Sequence, residues 1–212
     1  GPYGEILARG ELVLRFDAAA GGFSVHYFEH RFPLDPSTYP RILGLELDAL
    51  RQRLGANHPD LLELESLITA FGHLPARSRT EPEAIRERER DKEIHKRALG
   101  ALVARNPAIA GHIAHQSATV NARCAELAAP DGLHELLEQQ PWRLAFWRVA
   151  VDEINYRRFF DINELAGLRM EHAEVFEATH ALVLEQVRLG RVHGLRIDHP
   201  DGLYDPAAYF AR

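Results

Sequence analysis

Three neighbouring side chains suited to reaction chemistry, Arg196, Asp198 and His199, close the run Gly194-Leu195-Arg196-Ile197-Asp198-His199. The apolar stretch Val192–Ile197, broken by His199-Pro200-Asp201-Gly202, predicts a short buried strand. Residues two apart in a strand share a face, so Gly194, Arg196 and Asp198 point one way while Leu195 and Ile197 point the other. A guanidinium beside the carboxylate keeps Asp198 ionised, the state that a carboxylate nucleophile needs. The same spacing suits a structural Arg–Asp ion pair, and spacing alone leaves both readings open.

A second concentration lies between Pro141 and Phe160, where Trp142, Phe146, Trp147, Tyr156, Phe159 and Phe160 crowd together with Arg143, Arg148, Arg157 and Arg158. Phe159 and Phe160 read as core. The arginines either brace the segment through salt bridges or face a ligand. The chain holds 12 histidines. His112 and His115, or His26 and His30, have permissive metal spacing, but no third ligand or second shell can be named, so neither metal nor cofactor is expected. His180 lies on an apolar helical face and reads as a satisfied core histidine.

Composition narrows the partners. Lys plus Arg number 25 against 31 Asp plus Glu, for a net charge of −6, and no basic stretch suggests a phosphate-tracking surface. Nucleic acid is therefore not an expected partner. Cys124 is the only cysteine, which excludes an intramolecular disulfide and a Cys-rich zinc site and fits a reducing, cytoplasmic setting. No apolar run approaches the ~20 residues of a membrane span, and no basic region followed by an apolar one opens the chain, so no membrane partner is expected.

These groups must be positioned by the elements around them. Leu12, Leu14 and Phe16, then Phe23, Val25 and Tyr27, alternate on either side of Ala20-Gly21-Gly22 and predict a β-hairpin. Pro33, Pro36 and Pro40 predict an extended arm. From about Ile42 to Ala129 the pattern is helical. Within it, Thr80 and Glu83 have capping-box spacing, Pro82 falls in the first turn, and the charge run Arg86–Lys92 reads as a solvated face. Glu171–Leu189 repeats Val175, Phe176, Leu182, Val183 and Val187 at helical spacing and stops at Gly190, a C-cap position. Helix, loop, strand and turn is the order of half a βα-barrel unit.

Gly194-Leu195-Arg196-Ile197-Asp198-His199 resembles the nucleophile strand of the α-amylase superfamily, glycoside hydrolase family 13. The continuation Pro200-Asp201-Gly202-Leu203 resembles the version found in the maltooligosyl trehalose synthase family. So do Asn155-Tyr156-Arg157-Arg158-Phe159-Phe160-Asp161-Ile162 and Val175-Phe176-Glu177-Ala178-Thr179-His180. Pro2-Tyr3-Gly4-Glu5, Phe32-Pro33-Leu34-Asp35-Pro36 and Tyr39-Pro40 are also similar to that family. Asp201 and Gly202 depart from the Lys and His that many amylases carry three and four residues beyond the nucleophile, so an amylase-style acceptor contact does not carry over.

The resemblance implies an internal fragment of a larger enzyme that isomerises the reducing-end α-1,4 bond of a maltooligosaccharide to an α,α-1,1 bond. Asp198 would be the nucleophile and Arg196 its partner. Tyr156, Arg157, Arg158 and Asp161 would be candidates for the pocket wall, and His199 would either contact sugar or stabilise its turn. The expected fold is mainly α with a small β component. Residues 1–40 would be a β-hairpin and proline-rich arm, 41–150 a helical insertion domain, and 151–212 part of a (β/α)8 barrel holding the nucleophile strand. The start at Gly1-Pro2 and stop at Arg212 suggest an excised segment. It would lack the acid/base Glu and the third Asp of the superfamily and need the rest of the barrel for catalysis. Another family 13 glucanotransferase or amylase, or a non-catalytic glucan-binding domain, stands as the alternative.

Overall fold

The computed structural model describes residues 1–124 and 132–212, apart from the side chains of Trp147, Ala150 and Val151. The chain forms two compact units, Gly1–Arg148 and Val149–Arg212. It is mainly helical with a small sheet component.

In the first unit, helix α1 (Tyr3–Ala8) leads into an antiparallel sheet of β1 (Leu12–Asp17), β2 (Gly22–Tyr27) and β3 (His30–Pro33), ordered β1-β2-β3. The predicted hairpin is present, with Leu14 opposite Val25 and Phe16 opposite Phe23. Its turn is held by Asp17, whose carboxylate accepts from the Ala20 N–H at 3.0 Å. Gly21 is obligatory there, because φ is +59° and an added Cβ would stand 1.7 Å from the Lys96 carbonyl oxygen. Strand β3 was not expected. It has four residues with little apolar alternation, and its reversal runs through Phe28 at φ +50° rather than through glycine.

The arm after β3 is not extended. Asp35 caps a 3-10 turn over Pro36–Thr38, and Pro40 opens helix α2 (Pro40–Leu43). A proline at the first helical position removes only an N–H that would have no partner in any case, so these prolines start helices rather than prevent them. Four helices follow: α3 (Leu47–Leu54), α4 (Pro59–Gly72), α5 (Pro82–Arg105) and α6 (Pro107–Ala122), and then α7 (Leu133–Glu138). The end of the predicted helical stretch, 125–129, lies outside the described residues. The Thr80–Glu83 capping box does not form. Glu81 occupies the N-cap without a side-chain bond, and Pro82 supplies the start. The run Arg86–Lys92 is largely exposed.

Sheet and helices share one core, in which Leu14, Phe23 and Val25 meet Tyr39, Leu43, Leu61, Phe71, Leu99 and Ile113. Asn121 of α6 covers the free edge of β1, accepting from the Leu14 N–H at 2.8 Å and donating to the Leu14 carbonyl at 3.0 Å. That pairing satisfies backbone groups that an open strand edge would leave bare.

The second unit holds α8 (Ala150–Glu153), a hairpin of β4 (Arg158–Phe159) and β5 (Ile162–Ala166), α9 (Ala173–Arg188) and α10 (Pro206–Phe210). Helix α9 falls where the spacing predicts it, and Gly190 follows its C-cap at φ +69°. Residues 192–197 are not a strand. A buried strand needs neighbours for its N–H and C=O groups, and among the described residues no strand pairs with this segment. Its apolar face is correspondingly open, with Leu195 46% exposed. Among the described residues no helix is long and apolar enough to cross a membrane.

Candidate functional site

Arg196 and Asp198 do converge, although not through a strand. The Arg196 Nη2 lies 3.6 Å from Asp198 Oδ1, and His199 Nε2 lies 3.5 Å from Oδ2. The carboxylate thus has a guanidinium beside one oxygen and an imidazole beside the other. Both members of the arginine pair are open to solvent, at 91% and 70% exposure. Such a pair adds little to stability, because water screens it.

His199 is set by its backbone and by two rings. It sits in the left-handed region at φ +51°, as N-cap of the 3-10 turn Pro200–Gly202. Phe159 and Phe160 each stand nearly perpendicular to its imidazole, with ring centroids 5.5 and 5.1 Å away. Phe160 is itself left-handed at φ +52°, in the two-residue reversal that pairs Phe159 with Ile162. Bulky residues are uncommon in that region, and where they occur the strain is held by surrounding contacts. The expectation that Phe159 and Phe160 are core is corrected. They are 40% and 59% exposed, and they serve as a wall for His199 rather than as interior packing.

The other expected site residues form a neighbouring brace. Tyr156 Oη donates to the Asn163 carbonyl at 2.6 Å. Arg158 donates to Asn163 Oδ1 at 2.8 Å and to the Asp161 carbonyl at 3.4 Å. Arg157 pairs with Glu171 at 3.5 Å and lies over the Tyr204 ring at 5.8 Å. The bracing alternative therefore describes both arginines as they stand. Among the described residues no hydrogen bond or ion pair joins Tyr156, Arg157, Arg158 or Asp161 to Asp198.

Sequence reading missed Glu171, Tyr204, Tyr209 and Arg212, which with Met170 and Leu203 border a cleft of about 130 Å³. Its own backbone N–H, then Arg157 and Arg169, hold the Glu171 carboxyl below the usual glutamate range. Arg212 donates to the carbonyls of Met170 and Glu171 at 3.0 and 2.9 Å. The only advance signal was Tyr204 and Tyr209 following the Pro-Asp-Gly-Leu turn closely enough to fold back. His180 is half-buried rather than core, but its hydrogen bonds are met. Its Nδ1 faces the Phe176 carbonyl at 2.9 Å, its Nε2 faces Tyr209 Oη at 2.7 Å, and its ring stacks on Phe176. Among the described residues no group of three His, Cys, Asp or Glu side chains is arranged to hold a metal ion.

An open carboxylate flanked by guanidinium and imidazole, beside an aromatic wall, can attack or electrostatically stabilise an electrophilic carbon. Two curated proteins from strains of Mycobacterium tuberculosis, whose provisional name is maltooligosyl trehalose synthase, are each 48% identical to this chain over 75 residues. The match covers 35% of this chain and 10% of theirs, so the matched stretch is about a tenth of the length of these relatives. No protein-family model matches the chain, and no solved structure matches it.

Proposed function

We propose that this chain is a segment of an enzyme that converts the reducing-end α-1,4 linkage of a maltooligosaccharide to α,α-1,1 by intramolecular transglycosylation. The observation that carries this reading is the 48% identity over 75 residues to proteins named as maltooligosyl trehalose synthases. The Arg196–Asp198–His199 grouping is compatible with it, because Asp198, the residue that the resemblance marks as nucleophile, is open to solvent with a guanidinium 3.6 Å and an imidazole 3.5 Å away.

In this reading the parent is an intramolecular glycosyltransferase of glycoside hydrolase family 13, and residues 151–212 belong to its (β/α)8 barrel. Asp198 attacks the anomeric carbon and forms a covalent glycosyl-enzyme. A carboxylic acid about 5 Å from it, contributed by the rest of the barrel, protonates the leaving oxygen. The released glucose turns and attacks through its own anomeric hydroxyl, giving its proton back to that group and freeing Asp198. Water in its place gives hydrolysis, so the pocket must exclude it. Tyr156, Arg157, Arg158, Asp161 and His199 contribute to the pocket wall. The open carboxylate of Asp198 is the face on which the remaining strands and the substrate close. Arg196 is the cationic partner of that carboxylate.

The test is incubation of maltopentaose with the full-length parent, with its Asp198→Asn variant and with this chain alone. The parent removes reducing ends and forms a trehalose-ended product, the variant loses at least about 10³-fold in turnover, and this chain alone is inactive. A ladder of maltodextrins or free reducing sugar from the parent sinks the trehalose assignment. Full turnover by the variant removes Asp198 from the chemistry.

A further inference from the structure

Leu12, Leu14, Phe23 and Val25 lie on the core side of the sheet in the first unit, so strand alternation puts Arg15, Ser24, His26 and Arg31 on its other face. The register sets His26 of β2 directly opposite Arg31 of β3. Arg15 of β1 stands opposite Ser24, one diagonal step from His26. Neighbours so related have Cβ atoms roughly 5–8 Å apart, and like charges in these positions repel. Two guanidiniums and an imidazole thus gather on one patch, each from a different strand.

Little on the protein offsets this charge. Asp17, on the same face, lies 3.7 Å from Arg31, with the two side chains 41% and 50% exposed, so water screens the pair. At the Gly22 end α5 brings Lys96, whose charge is met by Glu93 at 3.1 Å. Arg15 is exposed and enters no side-chain hydrogen bond or ion pair among the described residues. Burial, then the Arg15 and Arg31 guanidiniums, hold the His26 pKa below the usual histidine value. The His26 ring is anchored from beneath. Ser24 is 1% exposed, and its hydroxyl lies 3.0 Å from His26 Nε2, while Nδ1 has no partner among the described residues. A protonated ring donates from Nε2 to the Ser24 oxygen and keeps its Nδ1–H for a ligand.

We infer that Arg15, His26 and Arg31 bind one phosphate group, free or as a monoester, on the outer face of the sheet, at a site that takes no part in the Asp198 chemistry. A dianion there replaces repulsion among the three side chains with attraction to each. Guanidinium forks match the oxygens of phosphate, and three donors suit its three strong acceptor oxygens better than the two of a carboxylate. One patch holds one such group; a nucleic-acid backbone needs a track of cations. The dianion favours protonated His26, so binding and protonation strengthen each other.

The experiment titrates the isotope-labelled chain with inorganic phosphate and, separately, with glycerol 3-phosphate, at an ionic strength held constant with chloride. The readout is the imidazole signals of His26 and their pH dependence. Saturable shifts and a rise in the His26 pKa are expected, and Arg15→Ala should weaken binding at least about tenfold, the loss of one charge-assisted bond. Arg15 is exposed, so its truncation keeps the fold, which unchanged backbone signals verify. Arg86→Ala makes the same charge change on the exposed face of α5 and should leave binding unaltered. A response to both ligands assigns the site to the phosphate group itself; a response to one alone names the free ion or the monoester as its source. The proposal is overturned if neither ligand gives saturable shifts at tens of millimolar, if Arg15→Ala binds as tightly as the unchanged chain, or if Arg86→Ala weakens binding equally.

Discussion

Asp35 joins the arm to two other parts of the first unit, and removing its carboxylate should show how much that junction supports. The side chain is 8% exposed. It accepts from the Ser37 N–H at 3.0 Å and the Ser37 hydroxyl at 2.9 Å, and it pairs with Arg77. Its own N–H donates to Gln140 Oε1 at 2.7 Å. Asp35→Ala deletes a cap worth about 1 kcal/mol. It also deletes a charge-assisted bond worth roughly 1.5–3 kcal/mol in full burial, discounted to about 1 kcal/mol because Arg77 is half exposed. The total is about 2 kcal/mol, or roughly 4–8 °C in Tm for a unit of this size. Asp35→Asn keeps an acceptor for Ser37 and loses only the charge, so a drop of about 3 °C is expected.

The pH dependence gives the sharper reading. Burial pushes the Asp35 carboxyl up, but the bonds from Arg77 and Ser37 outweigh it, and the net pKa lies below the usual aspartate range. Stability from a carboxylate lowered in this way is present above its unfolded-state pKa and is lost as pH falls through the folded-state value. Thermal unfolding followed by circular dichroism should therefore show a gap between the parent sequence and Asp35→Asn at neutral pH that closes in acid. A gap that stays constant across that range, or Asp35→Ala melting within 1 °C of the parent sequence, would refute the reasoning.

Other expectations follow from the same contacts. Burial pushes the Tyr3 and Tyr39 hydroxyls up to about 12, so absorbance at alkaline pH should show late-ionising tyrosines. Their stabilisation should be complete below the ordinary value of 10.0 and lost as pH rises through about 12. Gly21→Ala drives a methyl into the Lys96 carbonyl and should cost more than about 3 kcal/mol in urea unfolding; a cost below about 1 kcal/mol would mean that the turn can move off α5. Tyr209→Phe removes the bond to His180 and should lower the stability of the second unit by about 1 kcal/mol, read by hydrogen exchange in α9 and α10. Asp198→Asn should leave the melting temperature within about 1 °C, since its ion pair is exposed.

The features legible beforehand were those that neighbouring residues decide. Alternation at Leu12–Phe16 and Phe23–Tyr27 specifies a hairpin because side-chain direction reverses at each residue of a strand. Pro82 and Gly190 mark helix ends through their own backbone restrictions and freedoms. Arg196 and Asp198 approach each other because they are two residues apart, which is why their pairing survives without the strand that was expected to present them.

What the tertiary structure decided depends on partners distant in sequence. Residues 192–197 carry a strand-like pattern, yet pattern cannot supply a neighbour for the backbone, and the segment stays irregular. Phe159 and Phe160 look like core by composition, but their place is fixed by the reversal at Phe160 and by the ring of His199 nearly forty residues later. Arg15, His26 and Arg31 share one patch only because three strands pair in a particular register, and no local spacing announces it. Local rules thus determined where helices and turns begin and end, while burial, which sums over the whole fold, determined which polar groups were left facing open space.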